Sequence, residues 1–217
     1  MNRAPHPNES HHLGLPARSV AAVIALIAST GLAFQLVATY QITSSVLLTL
    51  WVVFAYFTIW TNFLVAIVFS AVAANRTALR SSWIVAGTTL SILLVGILYA
   101  LLLHGTAELS GGSAIANVLL HMATPVVVTL FWIFFTPRGN LTWRHPLRWA
   151  VYPILYLAYE LARGVATGRF AYPFLNALSL GWGQVAVNSV AIAAGFLLFG
   201  FAIIWVDHAA GPRPTQT

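Results

Sequence analysis

Six apolar runs of about twenty residues constrain this chain more than anything else in it. They fall at 19–41, 50–73, 82–104, 115–135, 148–166 and 183–206, joined by short connectors. A run of that length crosses the hydrocarbon layer as one helix. Only 6% of the residues are charged and 59% are hydrophobic, where soluble domains carry roughly 25% charge. Mean hydropathy is +0.85. The expectation is an all-α integral membrane bundle of six transmembrane helices. The bundle occupies 19–207, between a disordered tail over 1–18 and a C-terminal tail over 208–217. The tail's His6, His11 and His12, set among prolines, read as solvated. The first apolar run exceeds a signal-peptide core and lacks a convincing cleavage site, so it reads as retained.

Charge sets an orientation. All ten basic residues are arginines. With both termini cytoplasmic, Arg3, Arg18, Arg76, Arg80, Arg138, Arg144, Arg148 and Arg213 lie inside, and only Arg163 and Arg169 lie outside. This is the arrangement that the positive-inside rule favours, and the plasma membrane is the expected location. No basic cluster interleaved with aromatics suggests a nucleic-acid partner. There is no cysteine, which excludes disulfides and thiolate metal sites, and no metal or other cofactor is expected.

The polar residues inside the spans are the next signal. The fourth span, IANVLLHMATPVVVTLFWIFFT, holds His121 four residues before Pro125. Pro125 lacks the N–H that the His121 carbonyl would accept, so a kink is expected there. An ionisable residue inside a span is costly and marks a functional site, although a histidine hydrogen-bonded for packing is the plain alternative. At 1.5 Å per residue, Gln35 lies about 9 Å from the outer end of its span, Thr58 about 12 Å and His121 about 9 Å, with Glu160 and Asn188 at about 8–9 Å. Polar groups from five spans therefore share one layer of the outer half. A cavity opening toward that side is expected.

In that layer Thr58, Thr61 and Asn62 lie on one helical face. Such a face can be simple packing. Alternatively, Thr58 is a nucleophile, with Asn62 or Thr61 as an orienting or oxyanion donor. A hydroxyl needs a base to become nucleophilic, and His121 suits that role at neutral pH. Glu160 either pairs with Arg163 three residues on or orients a protonated His121 as the acid of a triad does. Tyr172-Pro173-Phe174-Leu175 forms a rigid turn over the layer or an interfacial loop. His104 and Glu108 sit at the mouth. His145 and His208 lie at the other side and read as solvated. A haem needs histidines facing each other across helices, and only His121 is clearly inside a span.

The pieces YFTIWTNFLVA, LLHMATPVVVTLFWIFFTPRG, WAVYPILYLAYELARG and YPFLNAL resemble the bacterial six-helix Pr6Pr family. That family is similar to the animal androgen-induced-gene family of integral-membrane threonine hydrolases. The resemblance runs from about Ala55 to the end of the sixth span. It implies six spans, with the essential threonine and histidine falling on Thr58 and His121. It also implies a lipid-ester substrate of the kind the animal enzymes cleave, fatty acid esters of hydroxy fatty acids. Three positions depart. Thr61 stands where the animal proteins carry an acid, the interval from His121 to Pro125 is one residue shorter, and Phe131 stands where bacterial relatives often carry an acid. The expected function is an intramembrane hydrolase of lipid esters in contact with membrane lipid. The alternative is a non-enzymatic protein that binds or transports a lipid or small molecule.

Overall fold

A computed structural model describes residues 13–106 and 108–211. Most of the tail over 1–18, with its three histidines, and the last residues from 212 lie outside that range. Among the described residues there is no strand. The helices are α1 (Leu15–Thr43), α2 (Val46–Val53), α3 (Phe57–Ala73), α4 (Ser82–Leu98), α5 (Gly111–Val118), α6 (Thr124–Phe135), α7 (His145–Thr167) and α8 (Ala177–Ala209). A π turn over Tyr99–Leu103 extends α4, and another over Leu119–Ala123 joins α5 to α6.

Four stretches are long and apolar enough to cross a membrane: Leu15–Thr43, Ser82–Leu103, Gly111–Phe135 and Ala177–Ala209. The bent pair α2 and α3 makes a fifth if it counts as one span. Only 22–44% of the most apolar window of each of the four is buried inside the protein. Large apolar side chains such as Ile42, Leu47 and Leu198 therefore point outward at 70–85% exposure. A soluble protein does not present such a surface, whereas a multi-pass membrane protein turns it to lipid. Helix α7 has the length of a span, but its Arg148, Glu160 and Arg163 keep it out of the apolar set.

Two departures from straight helices position the interior. The expected continuous span over 50–73 is broken: α2 and α3 meet at 95°. No proline or glycine causes the break. Two aromatic donors stabilise it instead. Trp60 Nε1 donates to the Phe54 carbonyl at 2.8 Å and the Tyr156 hydroxyl to the Ala55 carbonyl at 2.5 Å. Both carbonyls would otherwise lack partners in an apolar setting. Thr58 consequently stands in the first turn of α3. The kink expected at Pro125 takes the form of the second π turn, in which the Thr124 N–H and hydroxyl both turn back to the Leu119 carbonyl. One extra residue is thereby absorbed in the turn.

Close approaches lock that turn. A Cβ on Gly31 would lie 2.6 Å from Leu120 Cδ2 and 3.0 Å from Leu119 Cβ, so α1 packs directly on the π turn. A Cβ on Gly96 would lie 3.0 Å from the Pro125 ring. Gly31→Val is expected to cost about 1–3 kcal/mol by overpacking. Thermal unfolding in detergent checks this, and an unchanged melting temperature refutes the packing argument.

At the opposite end the loop over 137–144 is tied to α8. Buried Asp207 accepts from the Leu141 N–H at 3.0 Å, and His208 Nε2 donates to the Leu141 carbonyl at 2.8 Å. His145 is also buried, stacked against Trp83 and Trp149 and accepting from the Thr142 N–H. The expectation that His145 is solvated is therefore wrong, whereas His208 is exposed as expected and also donates to the loop.

Candidate active site

The bend before α3 and the π turn after α5 bring two side chains together. Thr58 Oγ1 lies 3.1 Å from His121 Nε2. The other ring nitrogen, Nδ1, lies 3.3 Å from the Asn117 carbonyl one turn earlier. A carbonyl only accepts, so Nδ1 carries the hydrogen and Nε2 is left bare. Nε2 then accepts from the Thr58 hydroxyl. This is the tautomer that a general base needs. The Tyr99 ring stacks on His121 at 4.7 Å and 29°. Its hydroxyl accepts from Asn117 Nδ2 at 2.6 Å and lies 3.3 Å from His104 Nδ1. The two π turns thus face each other and fix the imidazole from two sides.

The orienting partner is a backbone carbonyl, not Glu160. Fully buried Glu160 turns its Oε1 to the Ala171 N–H, and its Oε2 stands 4.0 Å from Arg163. It anchors the segment after α7, and no bond joins it to His121. Asn62 is not an oxyanion donor either. Its Nδ2 donates to the Thr58 carbonyl at 2.9 Å and to the Leu120 carbonyl at 3.3 Å, so both hydrogens are committed. The residue staples the first turn of α3 to the π turn. Thr61 Oγ1 pairs with the Tyr152 hydroxyl at 3.2 Å and ties α3 to α7. Asn188 Nδ2 donates to the Phe174 carbonyl at 2.8 Å and holds the loop from the α8 side. Gln35 donates to Thr39 at 3.1 Å and lines the same cavity as Thr58 and His121.

Two cavities meet at Thr58. The larger, about 770 Å³, is lined by Gln35, Thr39, Ser113, Asn117 and His121 among others. The smaller, about 150 Å³, is almost wholly apolar and runs between Leu94, Leu98, Pro153, Leu157, Ile192 and Phe196. Thr58, Leu103 and Tyr172 border both. Tyr172 is buried, with its ring edge-on to Tyr56 and stacked on Phe174. Among the described residues no group of three His, Cys, Asp or Glu side chains is placed to hold a metal.

Sequence reasoning missed Asn117 and Tyr99. Asn117 acts on the imidazole through its main chain, which leaves no side-chain signature. Its position four residues before His121 was the available signal. The arrangement as a whole presents a hydroxyl, a bare imidazole nitrogen and an apolar slot in one buried place. A set of that kind can carry out acyl transfer. Comparison of the chain with family models, curated proteins and solved structures finds no match in any of the three.

Proposed function

We propose that this protein is an intramembrane hydrolase of lipid esters, with Thr58 as nucleophile and His121 as general base. The observation that carries the reading is the 3.1 Å contact between Thr58 Oγ1 and a His121 ring whose Nδ1 is committed to the Asn117 carbonyl. In the first half-reaction Thr58 Oγ attacks the ester carbonyl and its proton passes to His121 Nε2. The tetrahedral intermediate then collapses, the C–O bond to the alcohol breaks, and His121 returns the proton to the departing oxygen. An acyl-threonine remains. In the second half-reaction a water gives its proton to His121 and attacks the acyl carbon. The acid departs as Thr58 regains its hydrogen. The small apolar cavity suits one hydrocarbon chain of the ester and the larger cavity the other part.

The same reading has six spans, counting α2 with α3 as one and α7 as the sixth. Helix α7 has 23 residues, about 34 Å at 1.5 Å per residue. The distribution of arginines supports both termini on the cytoplasmic side of the plasma membrane. The resemblance to the androgen-induced-gene proteins supports the threonine–histidine pair and a fatty acid ester of a hydroxy fatty acid as substrate. The runner-up is a non-enzymatic lipid binder, favoured by the size of the larger cavity alone.

The test is covalent labelling of detergent-purified protein with a fluorophosphonate probe, alongside hydrolysis of fatty acid esters of hydroxy fatty acids. Wild type is expected to label at Thr58 and to release free fatty acid, and Thr58→Ala to do neither. A folded wild type that neither labels nor hydrolyses any ester, yet binds lipid, sinks the hydrolase and leaves the lipid binder.

A further inference from the structure

We propose that Tyr99 is a positioning residue whose ring face stabilises the imidazolium of His121, doing for it what the carboxylate does in a triad. The inference rests on the hydrolase reading. When Nε2 takes the Thr58 proton, His121 becomes a cation inside a span, where an unpaired charge is costly. In a serine triad an acid beyond the imidazole offsets that cost.

No acid is placed to do so here. Among the described residues, no Asp or Glu lines the cavity that His121 borders. Glu160 is committed to the Ala171 N–H and Arg163, and Asp207 to the Leu141 N–H. The Asn117 carbonyl accepts from Nδ1 but carries no charge. The group that lies on the imidazole is the Tyr99 ring, with centroids 4.7 Å apart and planes 29° from parallel. The face of an aromatic ring is the negative side of its quadrupole. A cation within about 6 Å of the centroid is attracted to that face, most strongly where water is excluded. A neutral imidazole gains less from the same face, so the contact strengthens as the proton arrives. An interaction that grows toward the transition state lowers the barrier, whereas one equal in both states does not.

The two rings are also fixed beforehand, as electrostatic stabilisation requires. Asn117 holds both of them. Its carbonyl lies 3.3 Å from His121 Nδ1, and its Nδ2 donates to the Tyr99 hydroxyl at 2.6 Å. One residue thus sets the imidazole against the phenol through its main chain and its side chain. Tyr99 is 9% exposed. His104 meets it edge-on, with centroids 5.7 Å apart and planes at 86°. Tyr99 opens one π turn and His121 lies inside the other.

Fluorine withdraws density from a ring face and leaves the ring nearly the same size, so it separates charge from shape. Tyr99→Phe is compared with 3,5-difluorophenylalanine and 3,4,5-trifluorophenylalanine at position 99. Both kcat and the rate of fluorophosphonate labelling are expected to fall stepwise, by about 10-fold from the plain to the trifluorinated ring. The Kd for a non-hydrolysable ether analogue of the substrate and the melting temperature are expected to stay level across the three. Equal kcat along the series overturns the proposal, because the ring then acts by shape alone. A kcat that rises with fluorination overturns it as well. A fall in kcat matched by weaker analogue binding and earlier melting also overturns it, because the ring is then structural. Should Tyr99→Phe not fold without the bond from Asn117, 3-fluorotyrosine at position 99 keeps the hydroxyl and weakens the face. Its kcat is then expected to fall about twofold while Kd does not move, and an unmoved kcat overturns the assignment. A wild type without turnover or labelling is a different result: it removes the hydrolase reading and this inference with it.

Discussion

Thr58→Ala, His121→Ala and the double variant are expected to lose ester hydrolysis to nearly the same level, roughly 10⁴-fold or more below wild type. The equality is the informative part. A nucleophile and its base act on one proton, so removing either disables the same step and removing both adds little. Single losses that multiply in the double variant would mean that the two residues act independently, and the pairing would fail. Thr58→Ser is the companion control. It keeps the hydroxyl within reach of His121 Nε2 and is expected to retain turnover. Initial rates of fatty acid release from one ester, measured on all four variants, decide the matter.

The second large effect is on the fold. Glu160→Ala is expected to lower stability by about 2–3 kcal/mol, because it strands a backbone N–H and leaves Arg163 without its anion. For a chain of this size that corresponds to a melting temperature lower by about 5–10 °C. Activity is expected to fall with it, since the segment that carries Tyr172 loses its anchor. Glu160→Gln separates this role from a triad role. The amide oxygen still accepts from the Ala171 N–H while Arg163 loses its anion, so the melting temperature is expected to fall by less than in Glu160→Ala and turnover to stay near wild type. An acid that oriented His121 would instead lose about 10⁴-fold on the same change. A folded Glu160→Gln variant with lost turnover would return Glu160 to the catalytic group.

Where sequence reasoning succeeded and failed follows from the reach of the interactions involved. Apolar length reports membrane helices because each span answers to the bilayer and not to its neighbours, so α1, α4, α6 and α8 were legible. Counting along straight spans puts Thr58 and His121 at a similar depth, and the two do meet, but Thr58 does so from the first turn of α3 after the break and not from within a continuous helix. The break at Phe54–Tyr56 was not legible. Nothing in FAY disfavours helix, and the donors that stabilise the break come from Trp60 and from Tyr156 a hundred residues on. Direction on a helix surface was the other weak point. Glu160 shares the level of His121 but faces Ala171, and Asn62 faces carbonyls of its own and a neighbouring helix. His145 reads as a loop residue until Trp83 and Trp149 enclose it.

The π turn over Leu119–Ala123 carries a consequence for how this site tolerates change in length. Each residue of an α-helix advances the azimuth by about 100°. The wide turn absorbs one surplus residue, so that the flanks on either side keep nearly the phase of an unbroken α-helix. A one-residue deletion within 119–123 would close the bulge into plain α-helix without swinging the flanks by the roughly 100° that the same deletion costs elsewhere. What it would move is His121, which lies inside the bulge and not on either flank.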